Sequence, residues 1–314
     1  MANKFVILAD PTCDISDQIN KEFDVEMIKG HFVTSDGKEH VSVTNWETMN
    51  REEFYKALKK NPAAFTTSPP NIDECFAEFE KHILAGEGIL CLSISSALSG
   101  TYSFMLKAKE LALEKYPNAE ICVVDTYRFG PSVGLMAVTA SKLREKGLSL
   151  KETFEWLEEN KNHFHQAGWM DDLSFVAKKG RISHAKAFFG SIIGIKPIGE
   201  FDYNGMTTVI GKGKGEKQAF DMLVEYIAQT IIEPENQIIF IATSNRHEAA
   251  AKYKDLIEER FHPKAIYIND AFPNDGINIG PGLMAAYYYG KPISQGLIEE
   301  SEIIKSIKTK LETK

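Results

Sequence analysis

The chain has 314 residues, 43% of them hydrophobic and 25% charged, with a net charge of -8. That is an ordinary globular composition with room for two domains, and its acidic balance excludes the basic face a nucleic-acid partner needs. No apolar run reaches the ~18 residues of a transmembrane segment, MANKFVILADP carries no signal-peptide pattern, and Cys13, Cys75, Cys91 and Cys122 show no metal or redox spacing, so a cytoplasmic location is expected.

Lys4 to Ala9 reads as a first strand running into Asp10-Pro11-Thr12-Cys13-Asp14. Such a turn stands at the carboxyl end of a strand, where open α/β sheets place ligands; an Asp that only caps the turn is the alternative. Val25 to Val33 is a second candidate strand, and Arg51 to Lys60 a helix stopped by Asn61-Pro62. Phe65 to Asn71 is rich in hydroxyls and barred from helix by its prolines, after which Asn71 caps an amphipathic helix from Ile72 to Leu84. Ile89 to Leu92 is a short buried strand. It leads through Ser95, Ser96, Ser99, Gly100 and Thr101 into a helix bearing Tyr102, Met105, Leu106 and Leu113. A strand feeding a helix through such a loop collects N–H groups and hydroxyls that suit an anion, whereas a plain N-cap by Ser96 or Ser99 needs only one of them. Ala119 to Asp125 is a further strand, and Ser132 to Glu145 and Leu150 to Asn160 are helices. Alternating strands and helices with short connections imply a mostly parallel sheet.

The pattern changes near His165, which divides the chain into an N-terminal α/β domain, 1–164, and a C-terminal one, 165–314. Gln166 to Asp171 is a strand, and Lys178-Lys179-Gly180-Arg181-Ile182-Ser183 a basic turn. The apolar segment Phe188 to Ile198 suits a cavity wall or a core. Glu200 to Ile210 is a hairpin about Asn204-Gly205. Gly211 to Gly215, read as a basic loop or an anion-binding nest, lacks the order of a phosphate-binding Walker loop and opens a helix from Glu216 to Ile231. Gln237 to Thr243 and Lys264 to Asn269 are strands flanking a helix from Arg246 to Arg260. A glycine-rich stretch, 274–282, then precedes LMAAYYYG. Gln295 to Leu311 is an amphipathic helix that either packs on the body or docks a partner.

Five landmarks stand in order: the Asp-x-Thr turn at 10–14, Thr67-Ser68-x-Pro70, Ser95 to Tyr102, Gly180-Arg181-Ile182-Ser183 with Ile195-Lys196-Pro197-Ile198, and Gly280-Pro281-Gly282. Together, over roughly residues 3 to 290, they resemble the DegV family of bacterial fatty-acid-binding proteins. The resemblance implies two α/β domains, the first a mostly parallel sheet with flanking helices and the second mixed, with a long-chain fatty acid held between them. It also implies service as the acyl-presenting subunit of a fatty acid kinase whose ATP-binding subunit is separate. The family's carboxylate contacts fall on Thr67 and Ser99, its histidine on Asn278, and its turn arginine on Arg181. This chain departs from the family at Pro69, at Lys179, at Asp10-Pro11-Thr12, at Lys212-Gly213-Lys214, at Asn278 and in its added C-terminal helix.

The physical chemistry of a lipid site agrees with this. An acyl chain contributes about 0.8 kcal/mol per buried CH₂, and charged head-group hydrogen bonds of ~1.5–3 kcal/mol each orient the acid. Phe188, Phe189, Ile192, Ile193 and Ile195 are candidate tunnel lining. No cofactor, catalytic residue or metal ligand is expected. The alternative is a serine-dependent hydrolase using Ser95, Ser96 or Ser99 with His163, His165, His184 or Asp125, against which stands the absence of a GxSxG elbow.

Overall fold

The structure is a computed structural model that describes residues 4–47, 49–182 and 194–313. The first half contains β1 (Phe5–Ala9), α1 (Asp17–Glu22), β2 (Glu26–Met27), β3 (His31–Val33), β4 (Glu39–Val41), α2 (Arg51–Lys60), β5 (Thr66–Ser68) and α3 (Ile72–Leu84). It continues with β6 (Gly88–Ser93), α4 (Thr101–Lys115), β7 (Ile121–Asp125), α5 (Pro131–Glu145) and α6 (Leu150–Asn160). Then follow β8 (Phe164–Met170), α7 (Ser174–Lys178), β9 (Ile195–Phe201), β10 (Thr207–Lys214), α8 (Gly215–Thr230) and β11 (Ile238–Thr243). The chain ends with α9 (His247–Phe261), β12 (Ala265–Asp270), α10 (Pro273–Ile279), β13 (Leu283–Tyr289) and α11 (Ile298–Glu312).

One sheet has the order β2-β1-β6-β7, and all its strands are parallel. Its central strands β1 and β6 are buried throughout, as a parallel sheet covered on both faces requires. A second sheet has the order β10-β9-β8-β13-β11-β12, antiparallel except between β11 and β12. This is the parallel-plus-mixed α/β architecture expected from the sequence. A small antiparallel sheet, β4-β3-β5, was not foreseen. The stretch 25–33 breaks at Gly30, so that β2 joins the parallel sheet and β3 the small one. Gly30 is needed there because a Cβ would stand 3.0 Å from both Pro11 Cγ and the Ser68 carbonyl.

Helix α5 lies between the two large sheets. It touches β1 and β6 on one side and β8, β11 and β13 on the other. Every residue from Pro131 to Val138 is buried, because a helix apolar all round has no face to give to water. Its Gly134 packs directly on the first ligand-candidate turn: a Cβ there would come within 2.3 Å of Ile15 Cγ2 and 2.7 Å of the Cys13 carbonyl.

One sequence expectation changes in the second half, and two others are completed. Gly211-Lys212-Gly213-Lys214 is no loop but the end of β10. Its glycines leave room for Ile304 of α11, 2.3 Å from a Cβ at 211, and for the Ala219 backbone, 2.9 Å from one at 213. The stretch 274–279 falls in α10, started by Pro273 at its first turn, Gly280-Pro281-Gly282 follows as a turn, and LMAAYYY is a central strand. The C-terminal helix packs on the body, with Ile304 and Ile307 buried against α8 and β10. Among the described residues, no helix is long and apolar enough to cross a membrane.

Gly134→Ala is expected to lower the unfolding free energy by ~1–3 kcal/mol, as overpacking does, with the damage centred on the 10–15 turn. Chemical denaturation measures it, and an unchanged midpoint and slope would mean that this contact yields freely.

Candidate functional site

The carboxyl ends of β1 and β6 open onto a cavity of about 150 Å³, closed from the other side by residues of β8, β10, α10 and β13. At its edge Asp10, fully buried, organises the first turn. One of its oxygens accepts from the Thr12 amide (2.8 Å) and hydroxyl (2.6 Å). The other accepts from the Ile94 amide, which ties β1 to the loop after β6. Burial raises the Asp10 carboxyl above its ordinary range, against these three hydrogen bonds. Thus the acid of the Asp-x-Thr turn is a structural clamp between two loops, and Pro11 and Thr12 are the members that reach the cavity.

Thr67, Ser99, Asn278 and Arg181, drawn from four distant segments, all line this one cavity. Asn278 donates from Nδ2 to Thr67 Oγ1 at 3.0 Å and to the Asn274 carbonyl at 2.8 Å. A carbonyl can only accept, so the amide orientation is determined and both its hydrogens are spent. Thr67 therefore accepts from Asn278 and keeps its own O–H to donate. Ser99 Oγ and Thr101 Oγ1 stand 2.8 Å apart, one donating to the other, which leaves one hydroxyl hydrogen for another acceptor. The N-cap of α4 is Gly100, without a side-chain cap bond; Ser99 Oγ only accepts from the Thr101 amide at 3.3 Å. The Arg181 guanidinium donates from Nε to the Leu98 carbonyl (3.1 Å) and also bonds the Lys179 carbonyl, which fastens the basic turn to the hydroxyl loop.

Ile94, Leu98, Phe129, Met170, Val176 and Leu283 supply apolar wall. Among them stand Gln166 and Thr207, whose Oε1 and Oγ1 are buried without a hydrogen-bond partner. Phe129 is set in place by its neighbour Arg128, a fully buried arginine that donates to the carbonyls of Phe164 and Tyr127 at 2.6 Å each. Burial lowers the Arg128 guanidinium to about 10. Phe129, Arg128, Gln166 and Thr207 were not singled out from the sequence, where a lone Arg between aromatics carries no signal of burial. Of the expected tunnel lining, Phe188, Phe189, Ile192 and Ile193 lie outside the described residues, as do Ser183 and His184. Ile195 opens β9 and is not among the residues around the cavity.

Two further acids meet under the cavity. Asp14 (1% exposed) and Asp275 (4% exposed) lie side by side, each with a buried Oδ2 that has no hydrogen-bond partner and that a Cβ on Gly130 would adjoin. Burial first, and then the neighbouring carboxyl, pushes Asp14 well above its usual range, while burial brings Asp275 to about 7. Asp14 was read from the sequence only as the end of a turn.

Of the groups named for a hydrolase, His163, His165 and Asp125 are occupied elsewhere. His165 bonds Glu200 and the Lys291 carbonyl, both at 2.7 Å, and His163 bonds the Gly290 carbonyl at 2.8 Å. Asp125 accepts from the amides of Ser96 and Tyr127. Among the described residues no imidazole is hydrogen-bonded to Ser95, Ser96 or Ser99.

The family described as "Uncharacterised protein, DegV family" matches residues 4–291 of this sequence. The chain belongs to the DegV family. A DegV domain-containing protein of Clostridium perfringens is 33% identical to this DegV chain over 287 residues, 91% of this chain and 98% of that one. Solved DegV structures share its fold at lower identity. A Thermus thermophilus DegV protein described for its fatty acid binding superposes with a TM-score of 0.80 at 23% identity, covering 91% of this chain and 99% of its own. The Fatty Acid Kinase (Fak) B3 protein of Streptococcus pneumoniae, loaded with linoleic acid, gives 0.76 at 18% identity, covering 91% and 99%.

Because Gly100 rather than Ser99 caps α4, Ser99→Ala in this DegV protein is expected to cost under ~1 kcal/mol of stability, below a typical lost N-cap. Urea unfolding measures it. A loss of ~2 kcal/mol would assign Ser99 a capping role after all.

Proposed function

We propose that this protein binds a long-chain fatty acid between an N-terminal unit, 1–164, and a C-terminal unit, 165–314, and has no catalysis of its own. It acts in the cytoplasm and presents the carboxylate to a separate fatty acid kinase subunit. The observation that carries the reading is the convergence of Thr67, Ser99, Asn278 and Arg181 on one otherwise largely apolar cavity. Donors from the Thr67 hydroxyl and the Ser99–Thr101 pair suit a carboxylate, which accepts only. Asn278 acts through Thr67: it fixes the threonine oxygen and so turns its hydrogen outward. Arg181 supplies positive charge at the same wall. Apolar side chains then take the hydrocarbon, whose burial at about 0.8 kcal/mol per CH₂ provides most of the affinity. The fatty-acid-loaded fold neighbours and the kinase protein among them support the ligand and the partner.

Organic extraction of the purified protein, followed by mass spectrometry, is expected to release a fatty acid in near-equal molar amount. Thr67→Val and Ser99→Ala are each expected to weaken binding of an added fatty acid by ~1–3 kcal/mol, measured by calorimetry on delipidated protein. Repeated recovery of no lipid, together with no binding of added fatty acid, would overturn the reading.

A further inference from the structure

One helical turn before Asn278 on α10, Asp275 reaches the same cavity. Its partner Asp14 follows the Asp10 clamp and adopts a left-handed backbone (φ 48°). Asp14 Oδ1 accepts from the Phe272 amide at 3.0 Å, but Asp14 Oδ2 and Asp275 Oδ2 are both buried with no donor from any third group. Gly130 closes the space beside them, since a Cβ there would lie 3.1 Å from Asp275 Oδ2 and 3.9 Å from Asp14 Oδ2.

The other ionisable groups facing this pair do not neutralise it. Asp10 has three donors of its own, and Asp270 accepts from Trp46, His247 and Arg51. Glu200 accepts from His165, Tyr226 and two backbone amides. Tyr55 gives its proton to the Ala271 carbonyl, the Cys13 thiol is held protonated by burial, and the Tyr287 hydroxyl is buried without a partner. Among the described residues, no cation is hydrogen-bonded to either carboxyl group. Two bare carboxylates in contact inside a protein are untenable, whereas a single proton between them satisfies both inner oxygens.

We propose that a fatty acid anion binds tightly only while Asp275 keeps its proton, and that Asp14 and Asp275 share the one proton left once it is lost. The inference rests on the fatty acid reading above. With both protons in place the cavity floor is neutral; without the Asp275 proton it carries one negative charge beside the incoming one. Anion binding and proton retention are then linked, and each favours the other. The sign follows from the raised carboxyls: Asp275 keeps its proton below about pH 7 and loses it as pH rises beyond, while Asp14, raised well above its usual range by burial and by the Asp275 charge, keeps the other. Affinity for an anion therefore falls with rising pH, and so does the pair's contribution to stability.

The test compares wild type with Asp275→Asn, whose neutral amide can still hydrogen-bond Asp14 and removes the titration of Asp275. Delipidated proteins are titrated with oleate, and with oleyl alcohol as a neutral-headed control, delivered from cyclodextrin at about pH 6.5 and 8.5, both above the ordinary carboxylate range. Wild type is expected to bind oleate about tenfold more weakly at the higher pH, as one linked proton allows. Asp275→Asn with oleate, and either protein with oleyl alcohol, should change by less than about twofold. Flat oleate affinity in wild type, or an equal slope in Asp275→Asn, overturns the proposal. Asp275→Ser, equally unable to ionise, replaces Asp275→Asn if the latter does not fold. Thermal melting of the delipidated proteins reads the proton without any ligand: the variant should gain on wild type as pH rises toward about 7, and a constant difference overturns the raised Asp275 carboxyl. Absence of oleate binding by wild type at both pH values instead removes the fatty acid reading and the linkage with it.

Discussion

The structure depends on one helix that two sheets must share. α5 buries its whole first two turns between β1 and β6 on one side and β8, β11 and β13 on the other. The side chains of Val133, Leu135, Met136, Ala137 and Val138 belong to one core with strands of both sheets. At about 25 cal/mol per Å² of apolar surface withdrawn from water, neither sheet can give up this helix cheaply, so the two halves of the chain are bound face to face. Gly130 and Gly134 set how closely the helix approaches the 10–15 turn. Arg128, just ahead of the helix, ties its entry to β8 through carbonyl oxygens.

The cavity lies where this sandwich leaves strand ends unmet. Parallel strands β1 and β6 point their carboxyl ends to the same side, and the loops after them carry Asp10, Thr12, Ile94 and Ser99. From the other half come Gln166, Arg181, Thr207 and α10. The polar groups at this junction are of two kinds. Some, such as Asp10 and Asn278, spend their capacity on neighbouring protein groups and hold the loops together. Others, the hydroxyls of Thr67 and of the Ser99–Thr101 pair, are positioned by the first kind and retain a hydrogen to donate.

Position 278 shows how closely the cavity wall is tied to the rest of the fold. An asparagine there holds Thr67 by a neutral hydrogen bond and anchors itself to Asn274, which in turn accepts from Ser42 at 2.7 Å. That chain links the small sheet to α10 without placing an ionisable imidazole at the wall. The acid–base character of the cavity then falls to Asp14 and Asp275 beneath it.

Much of the fold was legible because its signals are local. Apolar runs bounded by turn residues marked β1, β6, β7, β8 and β11, and Asn71 announced the start of α3 through its capping box with Glu74. The ordered motifs pointed to Thr67, Ser99, Asn278 and Arg181, which tertiary structure gathers on one cavity. What failed to show in sequence depends on what packs against a residue rather than on what neighbours it in the chain. Gly211 and Gly213 looked like a loop because the helices that fill the space above them, α8 and α11, come later in the chain. Asp14 looked like the end of a turn because its partner lies more than 250 residues away. Hydrophobic periodicity and turn chemistry are written in adjacent residues, so they determine strands and helices; burial of a charge is decided only when distant segments exclude water from it.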